Sequence, residues 1–131
     1  MAAYTKLNLK EDVEDQAPNF GLEGKIEARM ARVPLGLEHS GVTYQRLAPN
    51  FRLPFGHRHK TQEEVYVLIG GSARAKLDDE VVELRPLDAF RVPKETVRSF
   101  EAGPDGAELL AVGAPHTGPG DAEVENGWWA D

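Results

Sequence analysis

The chain predicts an all-β domain built as a sandwich, barrel or jelly roll, and three features carry that expectation. After residue 34, apolar and polar residues alternate in short runs with the period of two that belongs to extended strands. Turn chemistry rich in Gly, Pro, Asn and Asp separates those runs at even intervals. The strongest run, residues 65–69, is almost wholly β-branched and aromatic, which suits a pleated sheet.

Taken in order, residues 1–24 read as an N-terminal arm. It is acidic through Lys10-Glu11-Asp12-Val13-Glu14-Asp15 and turns at Ala17-Pro18-Asn19-Phe20-Gly21, with Leu7, Leu9, Phe20 and Leu22 available to dock on the core or on a partner subunit. Residues 24–33 mix two signals: Glu, Ala, Arg and Met favour helix, while Ile26, Ala28 and Met30 alternate with charges as in a half-buried strand. The strands that follow favour strand. Residues 35–41 form a loop, 42–47 a strand, and Phe51, Leu53 and Phe55 alternate up to a histidine pair. Beyond residues 65–69, segments 72–77 and 81–84 are expected to pair as a hairpin about Asp78-Asp79. Segments 89–92, 97–100 and 107–113 complete the barrel, with turns at Pro93 and at Gly103-Pro104-Asp105-Gly106. The barrel domain therefore spans residues 25–113, and residues 114–131 form a Gly-, Pro- and acid-rich tail ending near Trp128-Trp129.

A chain of 131 residues, 40% apolar and 28% charged, suits one domain with one core. Cysteine is absent, which excludes disulfides, thiol nucleophiles and thiolate metal sites. A net charge of −7 argues against general nucleic-acid binding. The first residues lack the apolar core of a signal peptide and no run reaches membrane-spanning length. A cytoplasmic protein with neither membrane nor nucleic acid as partner is expected.

The chemistry concentrates in His57-Arg58-His59-Lys60-Thr61-Gln62-Glu63-Glu64. Histidines one residue apart share a face of a strand. With a carboxylate brought in by the next strand, they offer the donor set of a divalent transition metal.

From Gly56 to Gly71 the chain resembles the first motif of the cupin superfamily, His-x-His, then Glu after three or four residues, then Gly after six more. Glu63 with Gly70 satisfies the shorter spacing and Glu64 with Gly71 the longer; the longer is preferred, because the family's ligand is the second of two acids before a Val-Tyr-Val strand. A second motif survives mainly as Pro93, with Leu87, Glu95, Arg98 and Ala102 where the family has Gly, Gly, His and Asn. The resemblance covers roughly residues 36–113 and implies a double-stranded β-helix, the cupin jelly-roll barrel. It also implies metal ligation by His57, His59 and Glu64, with iron, manganese, zinc or nickel as the ion.

Arg98 cannot replace a histidine ligand, because guanidinium stays protonated and has no lone pair to give. Pointing inward, it would pair bidentately with Glu64 or Glu63. Two outcomes stay open: a metal triad with open positions, or a metal-free pocket in which Arg98 meets an anionic small molecule. The first suits a metal-dependent oxygenase, isomerase or lyase; the second suits a binding module. Tyr44, Tyr66 and Phe100 are expected to line the pocket with Arg98, while His39 and His116 sit in turn-rich stretches and are expected at the surface.

If Glu64, Tyr66 and Leu68 face inward, Val65, Val67 and Ile69 face outward. An apolar outer face needs cover, which predicts a homodimer, with Trp128-Trp129 on the core or the partner.

Overall fold

The alternating runs become strands joined entirely by antiparallel ladders in the computed structural model, which describes residues 3–118 and 120–130. Met1 and Ala2 of the expected arm, and Pro119 and Asp131 of the expected tail, lie outside the described residues. The strands are β1 (Ile26–Met30), β2 (Gly41–Leu47), β3 (Phe55–His59), β4 (Glu63–Leu77), β5 (Glu80–Leu84), β6 (Ala89–Val92), β7 (Arg98–Ala114) and β8 (Ala122–Asn126). The mixed signal in residues 24–33 thus resolves as strand β1, followed by one helical turn, Arg32–Leu35.

Two long strands form the spine. Segments expected to be separate, residues 65–69 and 72–77, are one continuous strand β4, and residues 98–100 and 107–113 belong to β7. The glycines read as turns are bends instead. Pairing of β4 with β7 slips between Leu68 and Gly70 and again between Gly71 and Ala73, so that Gly71 faces Ala107 while Ala73 faces Ala102. Gly71 sits at φ 74°, and a Cβ there would collide with the carbonyl oxygen of Gly106. Only glycine lets both backbones fold over at this corner. The slip also changes which parity faces inward. Tyr66 and Leu68 are buried before it, Ala73 and Ala75 after it.

The remaining strands flank this spine. β2 pairs β1 and the C-terminal half of β7, β6 pairs the start of β4, and β5 pairs its end. β3 meets β7 at His57–Arg98 and carries β8 along its other edge, from Phe55–Asn126 to His59–Ala122. The segment read as a tail therefore contributes a strand. Tyr66, Phe100, Leu47, Leu68 and Leu109 form the heart of the core. Tyr66 and Phe100 have ring centroids 4.9 Å apart.

The N-terminal arm is docked, with Leu22 on the core as expected and other residues adding to it. Asp15 Oδ1 accepts the amides of Ala17 and Ala28, each at 2.9 Å, and Arg29 Nη1 donates to the carbonyls of Lys10 and Val13. Val13 and Ala17 are buried and Leu22 packs on the core, whereas Phe20 is 51% exposed. At the other end, Trp128 lies against Gly56, Lys76 Nζ donates to the Trp128 carbonyl at 2.6 Å, and Trp129 Nε1 donates to Ser99 Oγ at 3.2 Å. The tryptophans pack on the barrel. Val65, at 36% exposure, and Ile69, at 40%, face outward as the parity predicts.

Candidate metal centre

Strand alternation places His57 and His59 on one face of β3, with ring centroids 5.2 Å apart. The turn through Lys60, Thr61 and Gln62 reverses the chain into β4, whose second residue is Glu64. Glu64 Oε1 then lies 3.7 Å from His57 Nε2 and 3.3 Å from His59 Nε2. One ligand atom from each of these three residues falls within 4.8 Å of the other two. Glu63 is exposed and pairs in register with Ala114, so the longer motif spacing is the one the fold uses.

The groups around the triad are individually held. Tyr66 donates its hydroxyl to Glu64 Oε1 at 2.6 Å, and Gln62 Nε2 reaches Oε2 at 3.4 Å. Burial alone would raise the Glu64 pKa. The facing His57, His59 and Tyr66 outweigh that and hold its carboxyl far below the usual range. Burial, aided by the nearby Arg98 charge, holds His57 below its ordinary value against the pull of Glu64. Burial and the Glu64 charge push the Tyr66 hydroxyl upward.

His59 is oriented from outside the triad. Its Nδ1 lies 3.0 Å from Asp121 Oδ2, and a carboxylate only accepts, so Nδ1 carries a proton, and in the neutral ring Nε2 is the nitrogen with the lone pair. That Nε2 is buried, faces Glu64 and makes no hydrogen bond among the described residues. Asp121 also accepts from Thr61 N at 3.0 Å, Thr61 Oγ1 at 2.6 Å and Gln62 N at 3.2 Å. Burial opposes its ionisation, but these hydrogen bonds win and lower its pKa.

Arg98 is fully buried and points inward, yet the bidentate pair with Glu64 does not form. Its Nη1 donates to the His57 carbonyl at 3.3 Å, and Nη2 donates to Pro93 at 3.1 Å and Val92 at 3.4 Å. Backbone carbonyls thus take the fork, and only Nε approaches Glu64 Oε1, at 4.0 Å and without a hydrogen bond. The carboxylate is attracted by the arginine but not consumed by it. Its oxygen remains available to a metal.

A cavity of about 450 Å³ opens above the triad, lined among others by Thr43, Gln45, Leu53, Phe100, Arg98 and Gln62. Phe100 lines the cavity, whereas Tyr66, also expected in the lining, is instead buried beneath the carboxylate as its support. Tyr44 corrects the sequence reading. Thr43, Gln45 and Leu47 line the cavity, so alternation turns Tyr44 to the other face of β2, where its hydroxyl donates to Glu108 Oε2 at 2.5 Å. His116, expected at the surface, is half-buried in the cavity wall, while His39 is exposed. Asp121 was missed because only the weak alternation of Ala122-Glu123-Val124-Glu125 announces β8, which brings it in.

The donor set fits a divalent transition ion: two imidazoles and a carboxylate converge, one imidazole is fixed in the ligating tautomer, and its lone pair has no other partner. When bound there, such an ion would supply Lewis acidity and open coordination positions on the cavity side.

No family profile matches the chain, and no curated protein sequence matches it. Solved structures do. A cupin protein from Bacteroides fragilis is similar at TM-score 0.71, with 23% identity over 88% of this chain and 86% of that one. A Streptomyces Pac13 variant with uridine, related to the nucleoside dehydratase Pac13, is similar at TM-score 0.74, with 17% identity over 96% of this chain and 93% of that one. Oxalate decarboxylase from Bacillus subtilis is similar at TM-score 0.74, with 23% identity over 94% of this chain and 33% of its own length. The chain is a small protein of cupin-type fold, with a triad able to hold a metal.

Proposed function

We propose that this protein is a small-molecule-binding cupin in which His57, His59 and Glu64 hold one divalent ion, iron, manganese, zinc or nickel, at the foot of the cavity. The observation that carries this reading is His59, whose Nδ1 is tied to Asp121 while its buried Nε2 faces Glu64 without a hydrogen bond. A buried polar atom in this state implies a missing partner. Arg98 supplies a second positive charge beneath the ligand, which favours an anionic or oxygen-rich small molecule.

Elemental analysis of the purified protein tests the metal. About one ion per chain is expected, lost in His59→Ala. A metal-free wild type alongside a metal-loaded Arg98→His would return the site to a polar pocket where Arg98 alone meets the ligand.

A second reading, a metal-dependent oxygenase, isomerase or lyase, is favoured by His57, whose side chain is 25% exposed on the cavity side. An ion held by three protein groups keeps positions for water or substrate. In a cobalt-substituted protein, added azide should then shift the optical spectrum; an unchanged spectrum would sink this reading. Cupin folds host enzymes and other proteins alike, so the fold does not name a reaction.

The reading includes a homodimer formed through the outer face of β4 and β7, where Val65 pairs in register with Val112 and both are exposed. A monomer by light scattering at micromolar concentration would remove it. Among the described residues no helix is long and apolar enough to cross a membrane. The cytoplasm is the proposed compartment, open to test by cell fractionation.

A further inference from the structure

The wall of the same cavity holds a second cation. Arg32, the first residue of the single helical turn after β1, lines the cavity and rests its side-chain stem on Gly41. Its Nε is buried and has no hydrogen-bond partner, and among the described residues no carboxylate pairs with its guanidinium. Among the described residues, the acids that border the cavity are all committed elsewhere. Glu27 is bonded to Arg29 at 2.9 Å, Glu64 faces the histidines, and Asp121 holds His59 and Thr61.

The wall of the same cavity carries a second donor. His116 Nδ1 accepts the Gly118 amide at 3.2 Å, which leaves Nε2 as the proton-bearing nitrogen of the neutral ring. A guanidinium with a shielded, unpaired Nε is costly unless something completes it. A planar fork of donors is complementary to a carboxylate or a phosphate.

We infer that Arg32, assisted by His116, anchors an anionic oxygen group, a carboxylate or a phosphate, on the small molecule that occupies this cavity. The inference rests on the cavity being a small-molecule site and adds the chemical class of the ligand. The ligand is then an organic anion, its charged end at Arg32 and its remaining polar atoms toward the triad. The cavity wall also carries Thr43, Gln45, Leu53 and Phe55, which suits a short, partly apolar body.

The test uses the full chain, with metal content measured first for wild type, Arg32→Gln and Arg32→Lys. Each is then titrated calorimetrically with succinate, with methyl phosphate and with the neutral succinamide. Wild type should bind one of the two anions and not succinamide; which anion binds tells carboxylate from phosphate. Arg32→Gln should weaken that binding at least about tenfold, the loss expected for a charge-assisted hydrogen bond. Its metal content should stay that of wild type. Arg32→Lys should recover part of the affinity, because it restores charge without the fork. Equal anion affinity in wild type and Arg32→Gln, equal binding of succinamide, or no binding of either anion by wild type would each overturn the inference. A wild type without metal would sink the metal reading alone, since the Arg32 comparison is made at matched metal content.

Discussion

Glu64 and Glu101 are both carboxylates set against arginines on the β4–β7 spine, and they are finished in opposite ways. Glu101 accepts Arg74 Nε at 2.9 Å and Nη2 at 2.6 Å on one oxygen, and Arg52 Nε at 2.8 Å on the other. Both arginines also lie over the Trp129 ring, at 4.4 Å for Arg52 and 5.6 Å for Arg74. That cluster ties the C-terminal end of the chain to the barrel. Glu64 is more deeply placed, with 11% side-chain exposure against 23% for Glu101, yet Arg98 stands off at 4.0 Å. Around it, among the described residues, His59 Nε2 and Arg98 Nε make no hydrogen bond. A saturated network at the surface is architecture. An under-satisfied one in the interior is a place kept for a ligand.

The largest effect should come from removing the deeper carboxylate. Glu64→Gln leaves the Arg98 charge buried without its counter-ion, a class of change that costs about 3 kcal/mol. Glu101→Gln loosens a partly exposed network and should cost about 1 kcal/mol or less. Urea unfolding of both variants, stripped of metal, measures the difference. Equal losses would show that the standoff at 4.0 Å has no energetic meaning and that Glu64 is simply another structural ion pair.

A smaller effect separates metal affinity from stability. Asp121→Asn keeps the shape of the residue but presents an amide to His59, weakening the bond that fixes its tautomer. Loss of such a supporting carboxylate lowers metal affinity about 10- to 100-fold. Competition with a chelator should show that drop in Asp121→Asn and little change in Glu101→Gln. An unchanged affinity in Asp121→Asn would mean that β3 alone positions the imidazole.

These two carboxylates also mark how far the sequence could be read. Glu64 was legible because a strand alternates: once His57 and His59 share a face and the motif spacing chooses between two acids, Tyr66 and Leu68 follow inward. The strand order was legible from turn residues, but Gly70-Gly71 and Gly103–106 proved to be bends in long strands, since a glycine that permits a turn permits a corner equally well. Tyr44 was misplaced for a different reason. Thr43, Gln45 and Leu47 take the cavity face of β2, so the tyrosine lies on the other face, buried with its hydroxyl on Glu108. Leu87 stands where the family has glycine and still adopts φ 75°, a strained conformation that no pattern of hydrophobicity reveals. The Glu101 cluster and Asp121 depend on residues far apart in the chain, and no local pattern brings Asp121 to His59 or Arg52 to Trp129.

The smallest effect is one of pH, and it belongs to Glu101 rather than to the triad. Burial opposes ionisation of Glu101, but Arg74 and Arg52 outweigh it and lower its pKa below the ordinary 4.5. A carboxyl with a lower pKa folded than unfolded binds fewer protons in the folded state. Its stabilisation is therefore complete above the unfolded value and fades as pH falls through the folded one. Because the side chain is 23% exposed, the whole effect should stay within about 1 kcal/mol and shrink further in salt. The stability gap between wild type and Glu101→Gln should thus hold steady above the ordinary carboxyl range and close as pH falls below it. A gap that persists in acid would mean that Glu101 acts through the packing of Arg52 and Arg74 on Trp129, with charge as a minor partner. The contrast with Glu64 would then be one of packing against charge, rather than of a completed network against an incomplete one.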